Sequence, residues 1–107
     1  MAMSEVLVAT SADFSLVRGT QPVAAGYWDD VVSARAFQHD EFTTDLVYLV
    51  LTMRDGSEFI AHEDAPGWEE FLEAAERALP AFPPAAEWLP KIARPAFTRN
   101  ETALFKR

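Results

Sequence analysis

The alternation of apolar and polar positions is clearest between Phe42 and Trp68. From Thr43 to Met53 both alternating sets are apolar, with Val47, Leu49, Leu51 and Met53 on one side and Leu46, Tyr48 and Val50 on the other. β-branched and aromatic residues dominate the run, which predicts a strand; apolar side chains on both faces predict that it is covered on both sides and central in its sheet. Asp55-Gly56 follows at once. An Asp-Gly pair between two strand-like runs predicts a two-residue hairpin turn, because both turn positions take positive φ. With that turn, Met53 sits opposite Glu58, and His62 at the end of the return strand Glu58–His62 faces Leu49.

Beyond the hairpin the period changes. Trp68, Phe71, Leu72, Ala75 and Leu79 recur at three- and four-residue steps, which predicts an amphipathic helix of about three turns. Asp64 is its expected cap, Pro66 falls in its first turn, Glu69 and Glu70 sit where the helix dipole favours them, and Pro80 ends it. Upstream, Val6 to Val8 forms either a short strand or a frayed end, Thr10 to Asp13 a turn, and Phe14 to Val17 an edge strand. Gly19 to Pro22 breaks that strand, and Val23 to Gly26 shows little pattern. Val31 to His39 reads as a strand, with helix as the rival because Val31, Arg35 and Gln38 share a helical face. Downstream, Pro80 to Pro84 reads as a stiff extended connector, Glu87 to Ile92 as a short helical turn interrupted by Pro90, and Ala103 to Phe105 as a last strand. The expected architecture is a single α+β domain over residues 1–107: an antiparallel sheet of four to six strands with one main amphipathic helix packed across a face.

Charge narrows the partners. Seventeen acidic residues stand against nine basic ones, for a net charge of −8. That balance repels phosphate backbones and anionic bilayers, so neither nucleic acid nor membrane is an expected partner, and a protein partner is expected to be basic. The chain has no cysteine, which excludes disulfides, thiolate metal sites and cysteine nucleophiles. Its longest apolar run, Leu46 to Leu51, is far short of the roughly 20 residues of a membrane span. Met1 to Val8 carries neither a basic segment nor a long apolar one, so a cytoplasmic location is expected.

Candidate chemistry is sparse. In the register above, His39 faces Thr43, which places the two histidines on the order of 20 Å apart, too far to share a metal. Asp40, Glu41, Asp45 and Glu63 gather, with Asp64, at one end of the sheet as a candidate partner-binding rim. Their spacing matches no calcium loop. Trp68 begins an apolar helix face and belongs in the core, and Trp28 and Trp88 are expected there too. No nucleophile elbow, Ser-x-x-Lys motif or glycine-rich phosphate loop is present. No catalytic residue, metal ligand or cofactor is therefore assigned.

The order Tyr27-Trp28-Asp29-Asp30-Val31-Val32, a long hairpin on Asp55-Gly56 and a helix starting near Trp68 resembles small bacterial pleckstrin-homology-like domains over roughly Tyr27 to Leu79. The resemblance implies a partly open barrel with a helix over the sheet. It carries over no lipid-binding residues, because the basic cluster such binding needs is missing. The function expected is a non-enzymatic protein-interaction module working through the acidic rim or a sheet edge, of immunity or inhibitor type, or forming a homodimer. The alternative is a small-ligand binder or enzyme with a pocket under the main helix lined by Tyr48, His62 and Trp68.

Overall fold

The structure, a computed structural model, describes residues 5–40, 45–92 and 101–106, with the side chains at 39, 40, 45, 91 and 92 outside that description. Strands β1 (Glu5–Ala9), β2 (Asp13–Arg18) and β3 (Gln21–Tyr27) lead through a 3-10 turn, Trp28–Asp30, into β4 (Val31–Asp40), β5 (Asp45–Met53) and β6 (Glu58–His62). Helices α1 (Trp68–Ala78) and α2 (Ala85–Ile92) follow, and β7 (Thr102–Lys106) closes the described chain. The strands form two antiparallel sheets, β1-β2-β3 and β6-β5-β4-β7. The α+β class is as expected, but the strands are divided between two sheets where one was expected.

The division arises in the first quarter of the chain. Val23 to Gly26 is part of β3, a strand that alternation did not reveal because Ala24, Ala25 and Gly26 differ too little in polarity. Pro22 is tolerated because β3 is an edge strand of its sheet. With β1 on its other side, Phe14 to Val17 is the central strand, not an edge. Strand, not helix, is the state of Val31 to Asp40, which pairs with β5 on one side and β7 on the other. Its pairing shifts at Val31/Ser33 and at Ala34/Arg35, and bulges of this kind break strict alternation, which is what made a helical reading available.

Central placement of β5 follows the sequence closely. Val47, Leu49 and Leu51 are fully buried, and Val50 on the opposite face is only 3% exposed. The hairpin differs. Met53 N–H donates to the Ser57 carbonyl at 2.8 Å and Gly56 N–H to the Met53 carbonyl at 2.9 Å, so Arg54, Asp55 and Gly56 form a three-residue loop. Only Gly56 of the three is left-handed, at φ 91°, as in a turn closed by a glycine bulge. The extra loop residue moves the register by one. Leu51 now pairs with Phe59 and Tyr48 with His62, so the expected His62–Leu49 pairing is replaced. Phe59 and Ala61 thereby join the core face, and Ile60 turns outward at 50% exposure. On the other side His39 pairs with Leu46, not Thr43. The two histidine positions are therefore two residues apart along β5, about 7 Å by strand rise, not 20 Å.

One core cluster draws on both sheets, both helices and the 3-10 turn. Phe14, Trp28, Phe59 and Phe71 pack as an aromatic group at its centre, with centroid distances from 4.5 Å to 5.9 Å. Trp28, Trp68 and Trp88 are all buried, as expected. The apolar face of α1 is also as expected, with Trp68, Phe71, Leu72 and Ala75 buried. Its start is not. Gly67 is the N-cap, with φ 91° and no side-chain cap bond, and Asp64 is exposed and takes no part. Instead the chain bends at His62–Ala65 and Ala65–Trp68 through backbone hydrogen bonds. The Pro66 carbonyl then accepts Leu7 N–H at 2.8 Å, tying β1 to the helix start. After α1, Phe82 N–H bonds to the Leu79 carbonyl across a turn with Ala81 at φ 60°, so the expected extended connector is bent. Helix α2 runs through Pro90, and its first residue, Ala85, donates to Glu76 Oε1 at 2.9 Å.

Two glycines with the same φ separate backbone strain from steric overlap. A Cβ at Gly56 meets nothing, whereas a Cβ at Gly67 collides with the Leu7 carbonyl oxygen. Gly56→Ala is expected to cost about 1 kcal/mol. Gly67→Ala is expected to cost at least about twice that, since β1 must also move away from the helix start. Urea unfolding of both variants checks the difference, and equal losses would contradict it.

Candidate functional site

Of the two groups singled out from sequence, most side chains of the acidic rim lie outside the described residues, and the three pocket residues fall on two faces of the sheet. Glu63 is spent locally: its Oε1 accepts Val47 N–H and its own N–H donates to the Val47 carbonyl, both at 3.1 Å. This prolongs the β5–β6 ladder by one residue. Asp40 and Asp45 are opposite one another in the β4–β5 register, but their side chains, and all of Glu41, lie outside the described residues. Tyr48 and His62 are cross-strand neighbours with centroids 6.1 Å apart, and Tyr48 stacks on Phe37 at 5.6 Å. All three project from the sheet face opposite Leu49 and the core. Trp68 belongs to the core on the other face, where Phe71, Phe14 and Trp28 fill the space beneath α1. Tyr48, His62 and Trp68 therefore do not converge on one pocket. Among the described residues no group of three or more histidine and carboxylate side chains is placed to hold a metal ion.

A cleft of about 600 Å³ lies elsewhere, between the β2–β3 hairpin and the β5–β6 turn. There β3 leaves one edge without a hydrogen-bonded partner strand. Phe14 and Met53, both buried, back the cleft behind Gly26, and Ala25 and Tyr27 are its exposed apolar lining; Asp13, Ser15, Asp30, Arg54, Asp55 and Ser57 contribute polar groups. Gly26 is needed for this shape. A Cβ there would lie 2.8 Å from Met53 Cε and 2.9 Å from Phe14 Cζ, so only glycine lets the ring and the thioether lie against the β3 backbone.

The polar groups are held by local chemistry. Arg54 N–H donates to the Asp30 carbonyl at 2.7 Å, and its guanidinium donates to the Asp29 carbonyl at 2.9 Å and lies 3.6 Å from Asp30 Oδ1. Asp13 Oδ1 accepts the Thr10 hydroxyl at 2.8 Å. Asp55 Oδ1 accepts both the Ser57 hydroxyl at 2.6 Å and the Ser57 N–H at 2.9 Å. Those two bonds, the hydroxyl first, hold the Asp55 carboxyl below the usual carboxylate range. A carboxylate so stabilised is a weak general base. Three aspartates against one arginine leave the lining with an excess of negative charge. A lining of this charge attracts cations and repels anions.

A smaller cleft of about 340 Å³ runs along the outer side of α1, lined by Thr10, Ser11, Glu70, Glu73 and Arg77 among others. The larger cleft is not legible in the sequence because one wall is β3, whose alanines and glycine show no alternation. The signals that were present are Asp55-Gly56-Ser57, an aspartate two residues before a hydroxyl, and Thr10 three residues before Asp13. Comparison of the chain with family models, with curated proteins and with solved structures finds no match.

The Asp55 carboxyl is expected to titrate below an ordinary exposed aspartate when followed by NMR, and Ser57→Ala is expected to return it upward. The sign follows from a lowered folded-state value. The stabilisation of the turn is present above the ordinary carboxylate pKa and is lost as pH falls through the folded one. A Ser57→Ala variant with an unmoved Asp55 titration would refute this cause.

Proposed function

We propose that this protein is a non-enzymatic interaction module that docks a basic protein partner, in the manner of an immunity or inhibitor protein. The supporting observation is an excess of exposed carboxylates over cations on the described surface, where three of the five described cationic side chains are paired and Arg77, on α1 itself, and Lys106 make no salt bridge among the described residues. Arg18 is bound to Glu5, Arg35 to Glu58 and Glu101, and Arg54 to Asp30. Glu69, Glu70 and Glu73 on the outer side of α1, with Asp29 and Asp64 on the flanking turns, are exposed and have no salt bridge among the described residues. Such a surface raises the encounter rate with a cationic partner and makes binding sensitive to salt. It also disfavours pairing of two like-charged copies through the α1 face. Among the described residues no helix is long and apolar enough to cross a membrane.

A small-ligand binder is the second reading, and the observation favouring it is the seam cleft, not the space under α1. Its volume of about 600 Å³ is within the range of small-molecule sites. The kinship with pleckstrin-homology-like domains is likewise a proposal, supported by β3 lying beside β6 where the two sheets approach each other.

The test uses affinity capture at low ionic strength, followed by reconstitution with the purified partner. Binding is expected to weaken as salt rises, and to weaken further when Glu69, Glu70 and Glu73 are all changed to Gln. A partner whose affinity is unmoved by salt and by those substitutions would overturn the docking proposal.

A further inference from the structure

We infer that the seam cleft is an anchor pocket for a basic partner protein and receives one long cationic side chain, arginine or lysine, from it. This rests on the interaction-module reading above and adds where the partner is gripped and by what chemistry. Phe14 and Met53 are buried behind Gly26, and the exposed apolar part of the lining is Ala25 and the Tyr27 ring, against which an aliphatic stem can lie. Arg54 is committed to Asp29 and Asp30, so the net attraction comes from Asp13 and Asp55. Both carboxylates are anchored by neighbouring hydroxyls, and a carboxylate retains acceptor sites beyond such a bond. Tyr27, 60% exposed, brings an aromatic ring to the same lining, and a guanidinium or ammonium is attracted to such a ring.

The surroundings identify the cation as part of a protein. Of the five large apolar residues exposed on the described surface, Val6, Val8, Val23 and Tyr27 belong to the three-stranded sheet. Val8 pairs with Ser15, Ser15 with Ala25, and Asp13 with Tyr27, so the valines of β1 share one sheet face with residues that line the cleft. An apolar patch beside a pocket for a charged anchor is the usual composition of a protein interface. A free small cation would leave that patch uncovered. A nucleic acid is repelled by the aspartates.

The full chain, labelled with nitrogen-15, is titrated with a blocked peptide carrying one arginine flanked by valines, with its lysine and citrulline analogues, and with blocked free arginine. The charged peptides are expected to move the amide signals of Asp13, Gly26, Tyr27, Asp55 and Ser57, and citrulline to bind about fivefold more weakly or worse. Asp55→Asn keeps an oxygen for Ser57 and removes the charge, so it is expected to weaken the arginine peptide about fivefold with the fold intact; Asp13→Asn acts independently. Equal binding of citrulline and arginine, or shifts confined to another face, would overturn the inference. Blocked arginine binding as tightly as the peptide would also overturn it, by making the cleft a site for a free organic cation. If a reconstituted partner responds to salt but not to Asp13→Asn with Asp55→Asn, the pocket falls and the docking module stands. If the partner ignores salt altogether, the docking module itself falls.

Discussion

The ring of Phe14 lies 4.5 Å from that of Trp28, 4.7 Å from Phe59 and 5.9 Å from Phe71, and each of these residues comes from a different element. β2, the 3-10 turn, β6 and α1 are thus held against one another by a single group of aromatic contacts. Ring pairs at tilted and edge-on angles contribute roughly 0.5–1.5 kcal/mol each beyond the area they bury. Trp28 adds a directional bond, from its indole N–H to the Thr10 carbonyl at 2.9 Å. That bond fixes the turn preceding β2, and so the position of Asp13. Phe14 also backs the cleft behind Gly26, so the same packing that joins the sheets shapes the candidate pocket.

The elements that could be read directly from the sequence are those whose local pattern agrees with their final surroundings. β5 is apolar on both faces because it is buried on both, and α1 keeps its period because one side meets the core. β3 failed that test. Its alanines and glycine carry no alternation, and what makes it a strand is the neighbouring β2 and the Phe14 ring and Met53 methyl that lie against Gly26. The hairpin register failed for a different reason. Asp-Gly is compatible with loops of two or three residues, and the choice is made by Ser57 bonding back to Asp55 and Met53. The cleft inherits both failures, since it lies between β3 and that loop. Asp64 shows the converse, a good capping residue displaced because Gly67 must let Leu7 approach the helix start.

The distribution of charge has a similar logic. The arginines of the described surface that make salt bridges reinforce neighbouring elements: Arg18 and Glu5 across β1–β2, Arg35 with Glu58 and Glu101 over the four-stranded sheet, Arg54 and Asp30 between the hairpin and the 3-10 turn. Pairs this exposed contribute modestly to stability. Each pair also offsets the positive charge of its arginine, leaving Glu69, Glu70 and Glu73 of α1 as exposed carboxylates without a salt bridge among the described residues.

The bond from Leu7 to Pro66 has a consequence for how the chain reaches this state. β1 is synthesised long before the helix start against which it seats, so its final placement waits until most of the sequence has emerged. A closure across so much chain is entropically costly and belongs to the slow class of non-local contacts. During that interval the β1–β2 hairpin stands without its helix, and Leu7, buried in the folded protein, is open to other chains. Like charges repel, so the net charge of −8 opposes association between such chains while their first strands wait.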